Sequence, residues 1–234
     1  MARPHALFVA REGALRADAV VQGGLGVDPA SVGGRAVRPP FEALPSGAVV
    51  EVCGRPGRGA FAQTTWAAGA VLAAQRRGEP AAWIEARPGA VFAPDLAEHG
   101  IDLAALPFVR VPPGRGRRWA APLLRAAEFL LRSGGFGLVV VDLRPPGPAP
   151  PVVAPAGAAR LSALARRHRS CVLLLSCKDA GAPSLGPMVG LRLLARRTRH
   201  AFGVFAVSSD VVRNKLGAPA AGAVAFFRGP HGCF

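Results

Sequence analysis

From residue 48 onward, short apolar runs alternate with stretches whose apolar residues recur at helical spacing. Residues 49–53 (V-V-E-V-C) predict a strand. Residues 59–77 predict an amphipathic helix closed by Arg76-Arg77-Gly78, a basic last turn followed by a glycine. A second strand is expected over 81–86, a short helix over 95–99 and a third strand over 107–111. A longer helix over 119–132 stops at Ser133-Gly134-Gly135. Residues 138–141 (L-V-V-V) have no polar face, as expected of a central parallel strand covered on both sides. A helix over 158–169, apolar on one face and basic on the other, leads to another apolar strand over 171–176.

The last part changes character. Residues 189–194, 203–212 and 223–227 read as strands with no long helix between them. Alternating strand–helix units followed by a meander predict an α/β fold. Its central sheet is mostly parallel, flanked by helices, with antiparallel strands at the C-terminal end. Residues 114–118 and 144–155 read as loops, the second because its prolines forbid regular structure. Residues 1–45 lack periodicity and read as a partly flexible N-terminal arm, with a short helix conceivable near 18–21. Residues 46–234 read as the core domain.

Charge adds a second constraint. The 234 residues carry +15 formal charge with a pI near 11.6, which favours a polyanionic partner and is consistent with weak DNA binding. Of the 29 basic residues only Lys178 and Lys215 are lysines, a usage that also follows from a GC-rich coding sequence. No run of about 18 apolar residues occurs, so no spanning helix and no membrane partner are expected. The expected location is the cytoplasm, associated with the nucleoid. The four cysteines lack metal spacing, and Cys53, Cys171 and Cys177 fall in or beside buried strands, where they act as small apolar residues. No metal site is expected.

The most informative segment joins the first core strand to the first helix: V-V-E-V-C-G-R-P-G-R-G-A-F. Gly54 and Gly59 stand at the glycine positions of the phosphate-binding pattern G-x-x-x-x-G-K-[ST]. Ala60 stands where the pattern has lysine and Phe61 where it has the magnesium-binding hydroxyl. Neither can neutralise phosphate charge or hold a cation.

With three further segments, over about residues 40–232, this loop resembles the core of the RecA recombinase family, of P-loop NTPase type. A-A-W-I-E-A (81–86) is similar to the strand that leads to the family's catalytic glutamate. L-V-V-V-D-L (138–143) ends in Asp142 at the Walker B position, and V-V-R-N-K-L-G-A-P-A-A-G-A-V-A-F-F-R-G-P-H-G (211–232) resembles the last part of the core. The resemblance places the catalytic glutamate at Arg87, whose guanidinium stays protonated and cannot serve as a base. A degenerate nucleotide site of Gly54, Gly59, Ala60, Phe61, Arg87 and Asp142 is therefore expected, with no enzymatic activity and no cofactor. The loops after Asp142 and after Cys177 are shorter than the DNA-contacting loops of filament-forming RecA proteins.

Within that superfamily the chain is most similar to ImuA, the catalytically silent accessory family of bacterial mutagenic translesion synthesis. That resemblance implies a role in DNA damage tolerance through contacts with three partners: RecA, an ImuB-like inactive Y-family polymerase and an error-prone alpha-subunit DNA polymerase. The alternative is a basic DNA-binding modulator of RecA-dependent recombination. Candidate DNA or partner contacts are Arg115, Arg117 and Arg118 in a loop, Arg166, Arg167 and Arg169 at a helix end, and Arg196, Arg197 and Arg199 along a late strand. The helix-end group also complements a helix dipole. Phe8, in A-L-F-V-A, is a candidate docking residue for a RecA protomer, a second copy or its own domain. Trp66, Trp83 and Trp119 read as core residues. His99, His168 and His200 are too scattered to form a site.

Overall fold

The computed structural model describes residues 8–10, 41, 44–54, 62–86, 91–145, 151–201, 204–217 and 224–228. Among them, nine strands form one sheet: β1 (Phe8–Ala10), β2 (Val49–Cys53), β3 (Ala81–Glu85), β4 (Phe108–Arg110), β5 (Leu138–Asp142), β6 (Cys171–Ser176), β7 (Val189–Ala201), β8 (Val204–Asn214) and β9 (Val224–Arg228). Their order is β1-β9-β8-β7-β2-β6-β5-β3-β4. The half from β4 to β7 is parallel throughout, and β8, β9 and β1 extend it in antiparallel fashion.

The four central strands bury every residue, so their continuous apolar runs face helices on both sides. Helices α1 (Ala62–Arg76) and α2 (Ala93–Glu98) lie on one side, where Trp66, Val71 and Leu96 join Val52, Trp83, Val140 and Leu173 in one cluster. Helices α3 (Ala121–Arg132) and α4 (Pro155–His168) cover the other. There Leu123, Ala127, Leu131 and Leu161 meet Ile84, Val139, Val141 and Leu174. Trp66, Trp83 and Trp119 are all core, as expected.

Element bounds differ from expectation for local reasons. Residues 116–118 form a 3-10 turn before α3, which starts at Ala121 with Pro122 in its first turn. Helix α4 begins at Pro155, three residues earlier than its apolar spacing suggests, because proline is pre-set for a first helical turn. Strand β7 runs to Ala201 rather than ending near residue 194, since β8 pairs with its mixed apolar and charged second half.

Two findings revise the N-terminal arm. Phe8–Ala10 pairs with β9 of the same chain, which gives the proposed docking segment an intramolecular seat. Phe41, within the expected arm, is fully buried against Trp66 and Phe227, with ring centroids 6.1 and 6.3 Å away. Gly69, inside α1, makes room for it: a Cβ there would lie 3.1 Å from the Phe41 ring.

Candidate functional site: the C-terminal edge of the parallel strands

Parallel strands present all their C-terminal ends at one edge, and ligands of such sheets bind where neighbouring connections leave in opposite directions. Here the chain from β2 crosses by α1 to β3, while the chain from β5 returns by α4 to β6 on the other face. By that rule the ends of β2, β6 and β5 mark the crevice of this edge, and the start of α1 reaches it through Gln63 and Thr64.

One of the chain's own arginines dominates this crevice. Asp142, the last residue of β5, is 4% exposed, and Arg144, two residues on, is 8% exposed. Arg144 donates from Nε to Asp142 Oδ1 (2.8 Å) and from Nη2 to Oδ2 (2.6 Å), while its backbone N–H donates to Oδ1 (3.0 Å). Its Nη1 donates to Thr64 Oγ1 on the first turn of α1 (2.7 Å). Burial works to lower the Arg144 pKa, but the Asp142 hydrogen bonds and charge, helped by nearby Cys177 and Glu85, hold it above its ordinary value. Asp142 thus meets a permanent internal cation through both oxygens.

Glu85, at the end of β3, is also buried. Arg110 donates to its Oε1 (3.2 Å), and its Oε2 is enclosed without a hydrogen-bond partner. On the β2 side, Gln63 of α1 donates from its amide nitrogen to the carbonyls of Gly54 (2.8 Å) and Ser176 (3.3 Å). A Cβ at Gly54 would sit 2.6 Å from that amide, so a side chain there would push Gln63 off its two carbonyls.

A second buried pair underlies the crevice. Glu51 in β2 is fully enclosed; its Oε1 accepts from Ser176 Oγ (2.7 Å) and its Oε2 from the Leu185 N–H (3.0 Å). Arg192 of β7, 2% exposed, brings Nε to 3.5 Å from Glu51 Oε2, without a hydrogen bond. Its other nitrogens donate to the carbonyls of Asp179 (2.8 Å), Ala180 (3.2 Å) and Ala182. One guanidinium thereby pins the short loop after β6 against the sheet.

The expected site residues divide. Gly54 directly follows β2, with its N–H bonded to the Ser176 carbonyl (3.2 Å), and Asp142 lies across the same crevice. Gly59, Ala60, Phe61 and Arg87 lie outside the described residues. Arg115, Arg117 and Arg118 follow β4 and are exposed at the crevice edge of the sheet. Arg166, Arg167 and Arg169 lie at the opposite pole, where α4 turns into β6. Arg196, Arg197 and Arg199 sit on the part of β7 that overhangs β2. Two have partners: Arg196 pairs with Asp210 at 2.8 Å, and Arg197 lies 4.9 Å from the Phe205 ring. The basic candidates are therefore not one surface. Arg144, Gln63, Glu51 and Arg192 escaped the sequence reading. The available signal was a lone charge inside an apolar strand, V-V-E-V-C and L-R-L-L.

A magnesium–nucleotide, which the resemblance would bring to this edge, does not fit these donors. The aspartate that would orient the cation is occupied by Arg144, and the sequence offers Ala60 and Phe61 in place of a lysine and a hydroxyl. No protein-family model matches the chain, and no curated protein matches its sequence. No helix among the described residues is long and apolar enough to cross a membrane.

Proposed function

We propose that the protein is a non-catalytic relative of the RecA core that acts by binding, as an accessory factor in DNA damage tolerance of the ImuA kind. The reading is carried by one observation: Arg144 occupies both oxygens of Asp142, the residue that a working nucleotide site of this type reserves for its metal. The parallel α/β sheet with an antiparallel C-terminal extension supports it, as does the order of the degenerate motifs along the chain. In this reading the crevice is a closed structural joint, and function resides on outer surfaces that meet RecA, an ImuB-like polymerase relative and an error-prone alpha-subunit polymerase.

Two measurements test it together. Phosphate release with magnesium and ATP is expected to stay at the buffer rate. Immobilised full chain is expected to retain RecA or the ImuB-like protein from purified mixtures. Turnover abolished by Asp142→Ala, or retention of neither protein, overturns the proposal.

A further inference from the structure

We propose that the outer face of the α3–α4 pair is a binding surface for single-stranded nucleic acid, distinct from every arginine group singled out in the sequence and from the crevice. The inference stands on this surface alone and survives failure of the accessory-factor reading.

Residues 121, 125, 129 and 132 of α3 are exposed and recur at helical spacing, so they form one outward stripe. Three of them are Arg125, Phe129 and Arg132. Phe129 is 61% exposed, a large aromatic ring on the outer side of a helix that buries its opposite face. Arg132 lies over it, with its guanidinium carbon 5.8 Å from the ring centroid. Helix α4 runs alongside and adds Arg160, whose Nε donates to both oxygens of Glu128 (3.0 Å each). Arg132 reaches the same carboxylate at 3.5 Å.

Glu128 is the one acidic residue on the two helices, against Arg125, Arg132 and Arg160 on this face. It is buried and shared by Arg132 and Arg160, so it cancels one of the three charges and leaves a net positive excess. The face therefore presents excess positive charge around a single exposed ring.

That combination favours a nucleic acid over other polyanions. Aromatic rings flanked by arginine stack unpaired bases irrespective of sequence, while guanidinium forks take the phosphates. Arg125 and Arg132 are about 10 Å apart along the helix axis, with the ring between them. A membrane surface would call for several apolar residues beside the basic ones. The other exposed positions on this stripe and on α4 are small or basic, among them Ala121, Ala159 and Ala163. A protein partner would need a wider apolar patch at its centre. Pairing in duplex DNA hides the base faces that Phe129 would stack on, so the single strand is preferred.

Fluorescence anisotropy with a labelled thymine 30-mer tests the inference on the full chain. Binding at low salt is expected, weakening steeply as salt rises. Phe129→Ala should weaken it by on the order of tenfold at fixed salt while leaving the salt slope unchanged. Arg125→Gln with Arg132→Gln should lower the slope by about one unit or more. Glu128 keeps Arg160 in that variant, and unchanged thermal unfolding confirms that the fold is intact. A control pair, Arg196→Gln with Arg199→Gln on the β7 overhang, should alter binding far less than the α3 variants. The inference is overturned by no oligonucleotide binding at low salt, or by face variants that bind like the parent. It is equally overturned by loss of binding in the β7 control pair instead, or by capture of phosphatidylserine vesicles without the oligonucleotide.

Discussion

Arg144 forks onto Asp142 from two positions along the same chain, and the same guanidinium reaches Thr64 at the start of α1. The contact joins the end of β5 to the helix that follows β2, closing the crevice from within. Removing one partner strands a buried charge. Asp142→Ala is expected to lose about 3–5 kcal/mol of stability in urea unfolding. Replacing both residues by apolar ones, Asp142→Leu with Arg144→Met, should cost much less, because no uncompensated charge remains.

Phe41 and Gly69 form a lock of another kind. Phe41→Ala is expected to cost about 3–5 kcal/mol, since a fully buried ring leaves a cavity beside Trp66 and Phe227. Gly69→Val should also destabilise, because its branched side chain would enter the ring's space. The double variant should lose less than the sum, the added bulk refilling part of the cavity. Thermal unfolding of the four proteins checks this coupling.

Arg192 holds three carbonyls of the loop after β6 as well as facing Glu51. Arg192→Met should release that loop and leave Glu51 without its cation. Tryptic cleavage after Lys178 is then expected to accelerate at least severalfold under native conditions, whereas Arg196→Gln leaves it unchanged. Equal cleavage rates in the parent and Arg192→Met would refute the pinning role.

The thiols give a pH test with a definite sign. Burial pushes the Cys171 pKa from 9.0 up to about 12, and burial also raises that of Cys53. A raised thiol pKa means that the folded state holds the proton more tightly than the unfolded chain. The associated stability is complete below about pH 9 and lost as pH climbs towards 12. Urea midpoints should therefore fall above pH 9, and Cys171→Ala should flatten that fall. In a Cys233→Ser background at pH 8, a thiol reagent is expected to modify half-buried Cys177 well before Cys53 or Cys171.

Much of the framework was legible in the chain itself. The apolar run over residues 138–141 and the almost wholly apolar stretch over 171–176 can satisfy neither face in water, so they announce buried parallel strands. Gly78, Gly100 and Gly134 mark where α1, α2 and α3 stop, whereas α4 ends on Arg169 in the left-handed region, which residue type does not announce. Net charge, the missing lysine and hydroxyl at Ala60 and Phe61, and the apolar setting of the three tryptophans are likewise properties of residue type and order.

Other features exist only once distant segments meet. Glu51 and Arg192 are 141 positions apart, and nothing local to either names its partner. Arg144 reads as the first residue of a proline-rich loop until the turn after β5 aims it back at Asp142. Phe41 reads as part of an irregular arm until a glycine in α1 opens a place for its ring. Hydrophobic period and turn chemistry act over a few residues, so a linear chain records them. Charge pairing, ring packing and the gathering of exposed arginines around Phe129 depend on distances through space, and only the folded sheet with its two helical layers supplies those.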